Sequence, residues 1–233
     1  MDIEKRYVKL FYDIVADSWV NIRQKFNILK KFKDLKNKKI LEVGCGTATQ
    51  LLEFEGNLLF GLDFSKGMIK FAKENAKRKG VKAFFIIGDA RKLPFKSNSF
   101  DFVFSIATIH HIKKREERIK AILEMMRVSK NLCFFSVLKR YSSLTFFRLF
   151  LNFFRFFVWG EIFLEWNYKG KKLKRFYHTY SFFELKRDLE IIKKLKNVEY
   201  EILEDKYNYY VIINLAPPGF EPGSPGPEPG ILG

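Results

Sequence analysis

Near the N-terminus apolar residues recur at three- and four-residue steps. Val8, Phe11, Tyr12, Val15, Trp19 and Ile22 would share one face of a helix over residues 3–35. From Lys39 the period changes. Short apolar runs at 39–43, 58–62, 83–87, 100–105 and about 131–137 alternate with segments of helical spacing. Ser65 is placed to cap a helix that turns Met68, Ile69, Ala72 and Ala76 inward and stops at Gly80. Another helix is predicted from about Arg115 to Val128. Strands and helices in this rhythm predict an α/β fold: a mostly parallel sheet with helices on both faces.

After Arg140 the rhythm breaks. Residues 144–166 are dense in Phe, and Thr145, Arg148, Asn152 and Arg155 draw one polar stripe along an otherwise apolar helix. Two central arginines disfavour a membrane span. A lid over the ligand edge of the sheet, a docking surface and an interfacial membrane helix remain open. A basic run follows at 169–175, then a helix over about 181–195 and two strands, 198–204 and 207–215, that form an antiparallel hairpin. This divides the chain into a helical segment (1–38), a main domain (39–215) and a Pro- and Gly-rich tail (216–233) expected to be disordered. Within that tail, Gly219 to Pro222 spell what the T-arm of a transfer-RNA gene would encode if translated, which suggests fortuitous coding.

Charge changes the picture more than composition does. An apolar content of 47% over 233 residues suits one globular domain, but 43 Lys and Arg against 26 Asp and Glu give a net charge of +17. Such a surface attracts a polyanion or an acidic membrane. A thermophile surface would raise Glu alongside Lys, which is not the pattern here. Cys45 and Cys133 make no zinc-ligand spacing with any His. The first residues lack the apolar run of a signal peptide, so a cytoplasmic location is expected.

The candidate chemistry falls at strand ends, where open α/β sheets bind ligands. Gly44 and Gly46 permit a tight turn and close approach of backbone to ligand. Thr49 stands where a dinucleotide fingerprint needs its third Gly, which argues against a pyrophosphate. Asp63 is placed to accept from two ribose hydroxyls, Asp89 from an adenine amine with Ala90 against the ring, and Glu42 to face an ammonium group. Each acidic residue alone could equally cap a helix. Together, on successive strand ends, they define a nucleoside site.

The runs LEVGCGT from Leu41, GLDFSKGMI from Gly61 and GDARKLPFKSNSFDFVFS from Gly88 resemble the class I S-adenosylmethionine-dependent methyltransferases over residues 40–137. That resemblance implies a Rossmann-like, seven-stranded fold and S-adenosylmethionine as cofactor. It places Gly44 and Gly46 beside the methionine part, Asp63 on the ribose, and Asp89 with Ala90 at the adenine. Ser105 and Ile106 would stand near the transferred methyl, with Cys45, Phe64 and Met68 completing the cofactor set.

Further runs are more particular. YDIVADSW from Tyr12 with Arg23, SIATIHHIKKREERIKAILEMMRV from Ser105, RFYHTYSFFEL from Arg175 and YNYYVIINL from Tyr207 resemble the tRNA wobble-uridine methyltransferases. Those enzymes esterify 5-carboxymethyluridine. The resemblance implies tRNA as substrate and a small zinc-ribbon activator as partner. A carboxylate acceptor is ionised at pH 7 and needs a cationic clamp rather than a base. Arg23 and Arg175 are the candidates, with Tyr12 and Tyr177 shaping the pocket and Tyr177 placed to stack on a flipped base. His110 either bonds backbone at the rim or touches cofactor or substrate, and His178 would order the Arg175 segment. The runs at 113–115 and 169–174 are solvated faces or phosphate contacts. Two other functions stay open: methylation of a quinone- or lipid-like acceptor, with the Phe-rich helix lining its pocket or touching the membrane, and a non-catalytic RNA-binding subunit.

Overall fold

A computed structural model describes residues 3–19, 27–140 and 160–215. Helix α1 (Ile3–Trp19) precedes the α/β unit, whose strands are β1 (Lys39–Val43), β2 (Leu58–Asp63), β3 (Ala83–Ile87), β4 (Phe100–Ser105) and β5 (Ser129–Leu138). Helices α2 (Lys66–Lys79) and α3 (Arg115–Val128) lie between them. The chain continues through β6 (Glu161–Tyr168), β7 (Lys171–His178), a helix α4 (Phe182–Lys196), β8 (Glu199–Glu204) and β9 (Asn208–Asn214). Among the described residues seven strands form one sheet in the order β3-β2-β1-β4-β5-β9-β8. The first five are parallel, and β9 runs antiparallel to both neighbours. Strands β6 and β7 form a separate antiparallel hairpin.

Alternation within buried strands divides the core. Ile40, Phe102, Phe104 and Phe134 point to one face, where Leu51, Ala72 and Ala76 cover them. Leu41, Val43, Val103, Phe135 and Val137 point to the other, against Ala121, Ile122 and Met125 of α3 and Leu185, Leu189 and Ile192 of α4. Burial on both faces explains why these strands read as continuous apolar runs. Each fully buried Phe or Leu contributes roughly 1.5–3 kcal/mol.

Helix ends follow local chemistry. The Ser65 hydroxyl accepts from the Met68 N–H, and Gly80 ends α2 in the left-handed region at φ 69°. Ser181 caps α4 in the same way through the Glu184 N–H. Helix α1 is tethered across that first cap. Asp13 Oδ1 accepts from the Ser65 hydroxyl at 2.5 Å and from the Gly67 N–H at 3.1 Å. A side chain at Gly67 would crowd α1, because its Cβ would lie 3.1 Å from the Asp13 carbonyl.

Three expectations change. The N-terminal helix ends at Trp19, and the next described element is a 3-10 segment, Asn27–Phe32. The expected Phe-rich helix falls largely at 144–159, outside the described residues, but its last part is strand β6, where Ile162 is buried and Phe163 exposed. That two-residue alternation is strand chemistry, hidden in sequence by the density of aromatics around it. The basic run is likewise a strand, β7, which places Arg175 inward and Lys172 and Lys174 outward. Arg23 and the tail 216–233 lie outside the described residues. No helix among the described residues is long and apolar enough to cross a membrane.

Candidate active site

A cavity of about 1090 Å³ opens at the carboxyl ends of β1, β2 and β4. Residues of α1 and of the β6–β7 hairpin wall it opposite the strand tips, and it reaches the turn between β8 and β9. Its size suits a small-molecule site.

The glycine loop forms one end of the cavity. The Gly44 and Cys45 N–H groups donate to the Leu62 carbonyl at 2.7 and 3.0 Å, which folds the loop back over β2. Gly44 has φ +74°, and a Cβ there would sit 2.2–2.7 Å from Thr108. Gly46, at φ +51°, has nothing within 4 Å of where its Cβ would be, so its backbone faces open cavity. Asp63 accepts from the Gly46 and Ser65 N–H groups, each at 2.9 Å. Burial raises its pKa to about 6, against the opposing pull of those bonds. Glu42 accepts from the Leu51 N–H at 3.1 Å, and burial pushes its carboxyl well up. Two buried carboxylates beside an open glycine backbone fit a ligand that carries ribose hydroxyls, an ammonium and a sulfonium. The Cys45 thiol is also pushed well up by burial and by the Asp63 and Glu42 carboxylates, so it is no thiolate nucleophile.

Phe64, Asp89, Ala90 and Ile106 line the same cavity. Asp89 differs from expectation in being occupied: the Arg91 guanidinium donates to both its oxygens, at 2.9–3.3 Å, and also to Glu117 at 2.9 Å. An adenine amine would share that carboxylate with Arg91. Two expected cofactor residues lie off the wall. The Ser105 hydroxyl turns away to donate to the Val43 carbonyl at 2.8 Å, tying β4 to β1. Met68 is buried against Phe11, Val15 and Ala16 of α1, where it holds two helices together instead of touching ligand.

Arg175, 9% exposed, also lines the cavity. Its guanidinium carbon lies 4.5 Å from the Tyr177 ring centroid, 5.0 Å from Phe11 and 5.7 Å from Tyr12. Its Nη1 donates to the Tyr12 hydroxyl at 3.2 Å. Tyr177 is only 7% exposed and packs on the guanidinium, His110 and His111, so it shapes the cavity and is not an open platform for a base. His178, next along β7, bonds Glu184 of α4 at 2.7 Å and so braces this strand as expected.

The two histidines arrive through a strained turn. Ala107 adopts φ +53° and is held by the Ser136 hydroxyl, which accepts from its N–H at 2.9 Å. His110 Nδ1 accepts from the Leu138 N–H at 3.2 Å, so its Nε2 carries the hydrogen. That Nε2 is buried with no partner among the described residues, and burial drives the pKa of the ring down to about 3. The ring is thus a neutral donor held just behind the cavity wall. Thr108, His111 and Asn208 also line the cavity. Nothing in the sequence singled out Thr108 or Asn208, whereas the adjacent His pair stood out, and His111 bonds backbone through Nδ1 to the Phe176 carbonyl at 2.8 Å.

Residues 41–136 match the family model described as a methyltransferase domain. The tRNA (carboxymethyluridine(34)-5-O)-methyltransferase of Arabidopsis thaliana is 30% identical over 132 residues, covering 55% of this chain and 31% of its own length. Demethylmenaquinone methyltransferase of Geobacillus stearothermophilus is 30% identical over 143 residues, 54% of this chain and 59% of its own length. The crystal structure of an S-adenosylmethionine-dependent methyltransferase from Methanosarcina mazei superposes with a TM-score of 0.64 at 21% identity, over 82% of this chain and 98% of that one. These matches thus span about a third to three fifths of the two curated relatives. The chain carries a methyltransferase domain with the class I S-adenosylmethionine-dependent fold, and S-adenosylmethionine is the cofactor of that class.

Proposed function

We propose that this protein transfers a methyl group from S-adenosylmethionine to the carboxylate of a 5-carboxymethyl wobble uridine in tRNA, making a methyl ester. The observation that carries this reading is Arg175: a buried, ring-caged guanidinium on the wall of the cavity that the glycine loop also lines. The bound cofactor supplies an electrophilic methyl on a positively charged sulfur. Two cations favour an anionic acceptor over a neutral amine, because a carboxylate neutralises them and accepts a bidentate fork from the guanidinium. It is already ionised at pH 7, so positioning supplies most of the catalysis. The Arabidopsis relative, which by its name acts on a carboxymethyluridine at position 34, supports the same chemistry.

A second reading has its own observation. Leu138, Ile162 and Leu164 give one cavity wall an apolar character, and a relative of equal identity methylates demethylmenaquinone by its name. Labelled methyl transfer from S-adenosylmethionine to bulk tRNA or to lipid extract separates the two. The proposal expects label in tRNA, released by mild alkali as an ester is; label confined to lipid overturns it.

The zinc-ribbon activator belongs to this proposal as well. Strand β3 is an edge of the sheet, and Phe84 and Ile87 on it are 44% and 50% exposed. An apolar sheet edge suits a protein partner.

A further inference from the structure

We propose that His111 is a positioning residue, which fixes the Arg175 guanidinium through the Tyr12 hydroxyl so that it meets the acceptor's carboxylate already oriented. This rests on the reading of Arg175 given above. Three hydrogen bonds carry it. His111 Nδ1 lies 2.8 Å from the Phe176 carbonyl, His111 Nε2 lies 2.8 Å from the Tyr12 hydroxyl, and Arg175 Nη1 lies 3.2 Å from that hydroxyl.

Their directions are forced. A carbonyl only accepts, so Nδ1 must hold a hydrogen and donate it to Phe176. Burial, reinforced by His110 and Arg175, holds the imidazole well below its ordinary pKa and therefore neutral. Nε2 is then bare and accepts the Tyr12 proton. The phenol oxygen is left to accept from Arg175, since a guanidinium only donates. Reversing any one bond breaks the next.

The path also closes on itself. Phe176 follows Arg175 in β7, so the strand's own backbone sets the His111 ring, the ring sets Tyr12 on α1, and Tyr12 sets the guanidinium. Arginine has many rotamers, and one held by rings and by an oriented phenol loses less freedom when the carboxylate binds. His111 does not need to touch the acceptor to do this.

The test compares His111→Phe, Tyr12→Phe, the double variant and His111→Gln, whose carbonyl can still accept from Tyr12. With bulk tRNA bearing 5-carboxymethyluridine, each single Phe variant should raise KM about tenfold with kcat changed less than about threefold, the loss of roughly one charge-assisted hydrogen bond. The double variant should be no worse than either single one, and His111→Gln should recover most of the loss. Calorimetric affinity for S-adenosylhomocysteine should hold throughout. Additive effects in the double variant, or equal loss in His111→Gln and His111→Phe, overturn the relay. A large KM effect of Arg175→Ala with none from His111→Phe overturns the relay alone, whereas no effect of Arg175→Ala overturns the reading of the site. Nitrogen-15 NMR of the full chain reads the relay without any turnover. It should show His111 as the neutral Nδ1–H tautomer, with its Nε2 signal moved by Tyr12→Phe; an Nε2–H tautomer or an imidazolium overturns it.

Discussion

Asp63 ties cofactor binding to pH. Its folded-state pKa, raised to about 6 by burial, exceeds the value near 3.9 of an unfolded Asp. Between those values the folded protein holds the extra proton, so ligand-free stability rises as pH falls from above 6 towards 4. Affinity for S-adenosylhomocysteine moves the other way, because the ionised carboxylate is the better acceptor for ribose hydroxyls. Calorimetry from pH 7.5 to 5.5 should show affinity falling through 6. Asp63→Asn should weaken binding at least about tenfold at pH 7.5 and flatten the profile, since about two charge-assisted bonds are lost; a flat profile in the parent protein would mean Asp63 does not touch the nucleoside. Gly44→Ala makes a different point. A Cβ at 2.2 Å from Thr108 Oγ1, on backbone at φ +74°, costs on the order of 1–3 kcal/mol in strain before the clash is counted. Thermal unfolding should drop clearly, and Thr108→Ala should restore only the part due to the clash. Gly44, Gly46 and Asp63 were legible in the sequence because tight turns and strand tips are local. Ser105 and Met68 were not, since whether each faces the cavity or packs elsewhere depends on Val43 and on α1. His111 escaped because its partners, Tyr12 and Phe176, lie 99 and 65 residues away.

Among the elements, β1 and β4 end where their apolar runs do, because buried parallel strands carry their own boundaries. The β6–β7 hairpin did not declare itself. Half-exposed strands announce themselves only by alternation, and here aromatic residues blur one strand while lysines dominate the other. Yet this hairpin places Arg175 and Tyr177, with Trp166 and Leu173 packed on the α1 cluster. Removing that contact should be felt at the acceptor and not the cofactor. Trp166→Ala is expected to raise KM for tRNA several-fold, with calorimetric affinity for S-adenosylhomocysteine unchanged; equal loss of both would mean that α1 and the hairpin move as one with the glycine loop. Edge strand β3 offers a separate test, of a partner and not of the chemistry. Co-expression with a zinc-ribbon activator should raise soluble yield, and Phe84→Glu with Ile87→Lys should cancel that gain. A gain that survives both changes would place the partner on another face.

For the whole molecule, net charge decides which acceptor can find the cavity. A surface at +17 draws a polyanion from a distance and does little for a neutral quinone. Lys31, Lys113 and Lys114 stand on the cavity wall, so cations flank it from two elements. Phosphates bound there position the RNA without reading it, leaving selection to the caged guanidinium inside. Each phosphate neutralised contributes about 0.7–0.9 to the slope of log affinity against log salt. Binding of bulk tRNA measured by filter retention between 50 and 300 mM KCl should therefore weaken steeply. Lys31→Gln with Lys114→Gln should lessen the slope by about one to two while S-adenosylhomocysteine affinity stays put. A salt-independent interaction, with turnover that responds to detergent instead, would assign the positive surface to solubility and the apolar wall of Leu138, Ile162 and Leu164 to the acceptor. The same glycine loop and carboxylates would then serve a lipid-like substrate, and Arg175 would have to be explained by something other than a carboxylate.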